Sequence, residues 1–218
     1  MKKIIISFLT LLIPVLMFGC QKSVSLEESM SEVTKIYFTA ENEYVNANIS
    51  VGRREEDYII DGKHTKNVDF SLISLKFNNL LPVNQINVLL IVNNVSTSVV
   101  LDLNPANHYY MTDLGYLLKE TDKVSLQYES LSLVFENVSQ NFGVDYREAL
   151  KIAKTELGDK IDKYYNGKDF KGEGYLKILT GKDEEEGQLF WVITLVSRDG
   201  SKNNVVLSVT DGKIIISD

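Results

Sequence analysis

The chain has one cysteine, Cys20, among 218 residues. No internal disulfide can form, so packed cores must hold the folded part. Histidine is nearly as scarce, with only His64 and His108. A zinc site needs three or four ligands at recurring spacings, and neither an HExxH nor a CxxC pattern occurs. The Gly-x-Ser-x-Gly elbow and the phosphate-cradling glycine loop are also missing. These absences leave no catalytic residue, metal ligand or ligand-binding residue to nominate, and no cofactor is expected. The chain reads as a non-enzyme. A serine–histidine–acid set scattered along it stays open, because its members need not be neighbours. Positive charge is short too: 30 acidic against 23 basic residues give a formal net charge of -7. An acidic chain is a poor substitute for the counterions of a phosphate backbone, which argues against nucleic acid as a partner. Beyond residue 18, no apolar run approaches the roughly 20 residues that a membrane-spanning helix needs.

What is present begins at the N-terminus. Met1-Lys2-Lys3 precedes the uncharged run Ile4 to Phe18, the order of a secretory signal. At its end, "LMFGC", Leu16 to Cys20, resembles the lipobox of bacterial lipoproteins. The resemblance implies a signal peptide at residues 1–19, a diacylglyceryl group on the Cys20 thiol, and Cys20 as the first mature residue. Two acyl chains hold a membrane stably where one does so only marginally. Ordinary secretion with a free Cys20 thiol, and an uncleaved signal anchor, are the competing readings. Losing Lys2 and Lys3 would move the formal charge from -7 to -9. Residues 20–33 then read as a lipidated polar spacer, with a short helix in "SLEESMSEV" as the alternative. The expected location is the extracytoplasmic face of the cell membrane, which is the periplasmic side of an envelope membrane in a Gram-negative cell.

From Thr34 the apolar residues recur with period two. "IYFTA", "YVNANISV", "VDFSLISLKF", "INVLLIVN", "TSVVLDL", "KVSLQY" and "LSLVF" are short and rich in β-branched and aromatic residues. Turn-forming stretches such as "GRREED", "NNLLPVN", "NNVS" and "NPANH" separate them. Both faces of "INVLLIVN" are partly apolar, which suits a central strand. Val124, Leu126 and Tyr128 are out of step with Leu131, Leu133 and Phe135, so a bulge or tight turn is expected at Glu129-Ser130. This pattern predicts an immunoglobulin-like β-sandwich over residues 34–140.

Near Gly143 the period changes. "DYREALKIAKTEL" predicts a helix capped by Asp145, with Ala149, Ile152, Ala153 and Leu157 as its apolar stripe. "GYLKILTG", "QLFWVITLVS", "NNVVLSVT" and "KIIIS" follow as strands, with Asp-Gly pairs between the later ones. Trp191, Ile193 and Leu195 should form the floor beneath the helix, while Phe190 and Val192 point the other way. "REALKIAKTEL", "LFWVITLVSRDG" and "VLSVTDGKIII" together resemble the PepSY domain of metallopeptidase propeptides and cell-envelope proteins. The resemblance covers about Asp145 to Asp218, within a domain read over residues 143–218, and implies a helix plus antiparallel meander that binds or inhibits proteins. The whole chain is therefore expected to be mainly β with an α+β unit at its C-terminal end.

Charged clusters read as solvated connections: "RREED", Arg53 to Asp57, as a turn, and "KDEEEG", Lys182 to Gly187, as a hairpin tip. Tyr109-Tyr110 and Tyr164-Tyr165 could face partners, but edge positions in a β core suit them better. The expected function is non-catalytic protein or peptide binding by a membrane-tethered lipoprotein, with restraint of an envelope peptidase as one form. An adhesion or solute-binding module on the sandwich is the first alternative, and an enzyme on an unrecognised scaffold the second. The expected partners are the membrane, through lipid on Cys20, and an envelope protein or peptidase.

Overall fold

The computed structural model describes residues 26–56, 65–167, 169–181 and 187–218. The signal segment, Cys20, His64 and residues 57–64 and 182–186 lie outside that set.

Alternating apolar residues build the first strands. β1 (Glu32–Glu41), β2 (Val45–Glu55) and β3 (Asn67–Phe77) pair antiparallel in sequence. β4 (Gln85–Val92) and β5 (Val95–Asn104) form a hairpin, and β6 (Tyr109–Asp113) joins β5 to β3. β7 (Val124–Tyr128) and β8 (Leu131–Asn137) complete the set. The lateral order is β1-β2-β3-β6-β5-β4-β7-β8, and β8 pairs back on β1 through Phe38↔Asn137 and Thr39↔Glu136. Eight antiparallel strands therefore close into a barrel. The expectation of a mainly β chain holds, but the immunoglobulin-like sandwich is corrected. A sandwich needs two sheets with free edges, whereas the β1–β8 pairing removes both edges.

An eight-stranded barrel has an interior just wide enough for side chains to fill. Here Phe38, Ile49, Ile73, Leu90, Leu101 and Leu126 fill it, each at 1% exposure or less. Asn93 and Asn94 take positive φ values of 50° and 68° in the two-residue turn between β4 and β5, as such hairpins require. Glu129, at φ 52°, makes a tight turn with Tyr128 opposite Leu131, which resolves the expected register mismatch. Two readings need correction. "GRREED" is not a turn from its start, because β2 runs through Glu55. Tyr109-Tyr110 lies in β6, between β3 and β5 rather than at an edge of the β core, and the buried Tyr110 hydroxyl donates to Val83 O at 2.6 Å.

Beyond β8, a 3-10 turn (Val138–Asn141) leads to α1 (Tyr146–Leu157). The Asp145 carboxylate caps α1, accepting from Arg147 N and Glu148 N at 2.9 Å each. Ala149, Ala153 and Leu157 are buried as the stripe predicts, with Leu150 added and Ile152 only half-buried. A 3-10 helix (Gly158–Tyr164) and two short strands, β9 (Tyr165–Asn166) and β10 (Asp169–Phe170), follow. The meander is β11 (Glu173–Thr180), β12 (Leu189–Val196), β13 (Lys202–Ser208) and β14 (Ile214–Ser217). Trp191, Ile193 and Leu195 form its helix-facing floor. Trp191 Nε1 donates to Val144 O at 2.8 Å, tying that floor to the start of the helix.

The two regions share a strand. β1 pairs in parallel with β11, Glu32 opposite Tyr175 and Val33 opposite Leu176, so barrel and meander form one 12-stranded sheet. Val33 and Tyr37 of β1 belong to the core beneath α1, while Phe38 and Ala40 belong to the barrel core. The expected spacer over residues 20–33 is corrected for its last part. Leu26 is 5% and Met30 1% exposed, both in the core beneath α1, on either side of a 3-10 turn (Glu27–Ser29). Gly174 makes room for Met30, since a Cβ there would run into Met30 Sδ.

Candidate functional site

Three places on the molecule gather polar or exposed apolar chemistry. The first is the seam where the chain enters β1. Glu55, Glu173 and Glu32 are 2%, 3% and 9% exposed. Ser31 Oγ donates to Glu173 Oε2, Lys177 Nζ pairs with Glu32 at 3.2 Å, and Arg53 donates to the Glu27 carbonyl. Burial, then the nearby Glu173, Glu55 and Glu32, push the Tyr175 phenol up to about 12. A neutral Tyr175 and these pairs hold β1 between β2 and β11. This arrangement is a lock on the fold rather than a set of groups aimed at a ligand.

The second is a cleft of about 270 Å³ where the 3-10 helix after α1 meets the β12–β13 loop. Tyr164 forms its floor. That ring is 1% exposed, and its hydroxyl donates to Leu195 O at 3.2 Å and Asn203 Oδ1 at 2.9 Å. Lys163, Lys171 and Arg198 supply the charge around it. The loop is fixed by Asp199, whose carboxylate accepts from Ser197 Oγ and from Ser201 N at 2.9 Å. Those hydrogen bonds hold the Asp199 carboxyl down to about 2. The Ser197 and Ser201 hydroxyls lie 2.7 Å apart, and Lys163 Nζ reaches Ser201 Oγ at 3.5 Å.

The third is the free side of the meander. Among the described residues, β14 pairs only with β13. Its Ile215 and Ile216 are 40% and 52% exposed. Ile216 stands opposite Val206, and Val206 opposite Val192, so one apolar row crosses three strands on the face turned away from α1. Leu179, 52% exposed, lies on the same face of β11.

No family model, curated protein or solved structure matches the chain. Of the residues singled out by sequence, Cys20 and His64 lie outside the described set. His108 is an exposed turn residue at φ 60°, beside a hollow of about 180 Å³ with Lys76, Asn78 and Tyr110. Among the described residues, no three His, Cys, Asp or Glu side chains are grouped to hold a metal. The cationic cleft was not legible, because Lys163, Lys171 and Arg198 come from three separate stretches. The Asp199-Gly200 pair marked its loop only as a turn. Tyr164 of the second doublet is core, but in a 3-10 helix with a buried hydroxyl rather than at the edge of a β core.

Proposed function

We propose that this chain is a lipid-anchored, extracytoplasmic binding protein without catalytic activity. Its PepSY-like C-terminal unit takes up an extended segment of a partner polypeptide, and restraint of an envelope peptidase is one form of that role. The observation that carries this reading is β14, a short apolar strand with one edge unpaired among the described residues. Such an edge offers main-chain donors and acceptors to an added strand, and exposed side chains beside it give selectivity. Asp218 N donates inward to Asn204 O. The β13–β14 register shifts at Ile215, which stands as one extra residue between the Val206–Ile216 and Leu207–Ile214 pairs.

Crosslinked pull-down from the native membrane tests the reading. Ile215→Lys and Ile216→Lys each place a charge at the edge. Both variants should stay folded and recover the partner severalfold less. Unchanged recovery with both would refute the edge as the site. A second reading, adhesion through the barrel, has its own observation. The outward residues of β5, β4, β7 and β8 include Val100, Leu89 and Val134, which are 49%, 38% and 76% exposed. Between Asp102 and Glu136 that wall carries serine, asparagine, glutamine and aliphatic side chains but no charge. Loss of capture with Val134→Asp, but not with Ile216→Lys, would favour it.

A further inference from the structure

The cationic cleft lies at the end of the molecule where the chain begins its fold. β1 and β11 run parallel, so their starts lie together, and Glu173 at the start of β11 pairs with Val196, the residue before the cleft loop. Leu195, whose carbonyl receives the Tyr164 hydroxyl, shares a core with Leu26 and Met30. Only six residue steps separate Leu26 from Cys20, and an extended chain spans at most about 3.6 Å per residue. An anchor at Cys20 would therefore hold Leu26 within about 20 Å of the membrane surface. The spacer is too short to lift this end of the protein far from lipid.

The cleft's chemistry suits that neighbour. Three cations line it in a chain whose net charge is -7. Arg198 makes no ion pair among the described residues, and Lys163 reaches the Ser201 hydroxyl, lies over the Tyr164 ring and acts through its charge on the Asp199 carboxylate. Lys171 is paired with Asp169 at 3.2 Å, but Asp169 is itself well exposed. Asp199 is the one acid of the lining, and its carboxylate already accepts from Ser197 and Ser201. A phosphate oxygen entering the cleft would meet the charged donors of Lys163, Lys171 and Arg198, and hydrogen bonds from charged donors are the strong ones.

We propose that the cleft formed by Lys163, Lys171, Arg198, Ser197 and Ser201 binds the phosphate of an anionic phospholipid headgroup in the membrane that carries the anchor. The inference rests on the lipid-anchor reading for its choice of source. Free inorganic phosphate has the same chemistry, and the test separates the two. Headgroup binding would set the orientation of the body by turning the cleft end to lipid.

The chain from residue 20 with Cys20→Ser keeps every described contact, since all lie within residues 26–218. Cosedimentation with phosphatidylcholine vesicles, and with the same vesicles enriched in phosphatidylglycerol, reads headgroup binding without an acyl anchor. Each basic residue near an anionic surface contributes about fivefold, so Lys163→Gln with Arg198→Gln should weaken binding to phosphatidylglycerol by about thirtyfold. Lys119→Gln with Lys123→Gln, an equal loss of charge on the barrel, should change it far less. Equal binding to both vesicle types, or no effect of the cleft variant, overturns the proposal. Displacement by inorganic phosphate as effective as by phosphatidylglycerol vesicles overturns the lipid source. The anchor is judged separately, by the mass of the native N-terminus: an unmodified Cys20 alongside intact vesicle binding would sink the anchor and leave the cleft standing.

Discussion

In the barrel every strand has two neighbours, because β8 returns to β1. In the meander β11 is covered by β1, while among the described residues β14 has only β13. Closure leaves the barrel no strand edge to offer, and its interior is filled with side chains. Whatever the barrel recognises must dock on its outer wall or loops. The meander keeps one edge and one face available. The difference separates a rigid body from a unit able to accept another strand, and β1 joins them by giving one face to each core.

The largest expected effects test whether the two cores act as one. Trp191→Ala should cost about 3–5 kcal/mol by opening the floor under α1, and it also leaves Val144 O without its donor. Leu90→Ala, deep in the barrel, should cost about 2–5 kcal/mol. Because β1 is common to both cores, each variant should show a single, lowered thermal transition by calorimetry. Two separated transitions in either would break the claim of a shared strand as a coupling element. A smaller effect is expected at the helix start. Asp145→Ala removes the cap of α1 and should cost about 1 kcal/mol, with hydrogen exchange accelerated in α1 before the barrel strands.

At the free edge the expected cost is smaller again. Ile216→Lys should shift stability by no more than about 0.5 kcal/mol, as exposed substitutions do, whereas a charge in the interior at Leu126 should prevent folding. A large destabilisation from Ile216→Lys would mean that β14 is not a free edge, and the contrast with the barrel would fail. The smallest effect concerns pH. The Asp199 carboxyl is held at about 2, below its ordinary 3.8. Its contribution is therefore complete above pH 3.8 and is lost as pH falls through about 2. Asp199→Asn should slightly flatten the acid side of the stability profile, and carbon-detected NMR titration should place the native carboxyl near 2. Ser197→Ala, which removes the first hydrogen bond to it, should move that titration back upward.

Much of the local structure was legible because it depends on neighbours in sequence. The helix, its Asp145 cap and the Trp191 floor followed from periodicity and capping chemistry. So did a central position for β4, which indeed lies between β5 and β7. What escaped depends on distant pairing. Nothing in "IYFTA" says that its strand will meet β8 at Asn137 on one side and β11 at Tyr175 on the same side farther back. Without those pairings, period-two runs suit a sandwich and a barrel equally. Leu26 and Met30 sit among serines and glutamates, so their stretch reads as polar until the fold brings them into the core beneath α1, with Gly174 leaving room for Met30. The cleft needed the same long-range information.

The position of β1 also has a mechanical consequence. Tension at the N-terminal end enters the fold at Leu26 and passes directly into a strand bonded on one side to β2 along most of its length, and on the other to β11 and then β8. A pull along that strand loads many hydrogen bonds in shear together, and none can fail alone. A pull at Asp218 would instead unzip β14 from β13 one bond at a time, starting with the contacts to Asn203 and Asn204. The same body is therefore strong when held by its N-terminal end and weak when drawn by its tail.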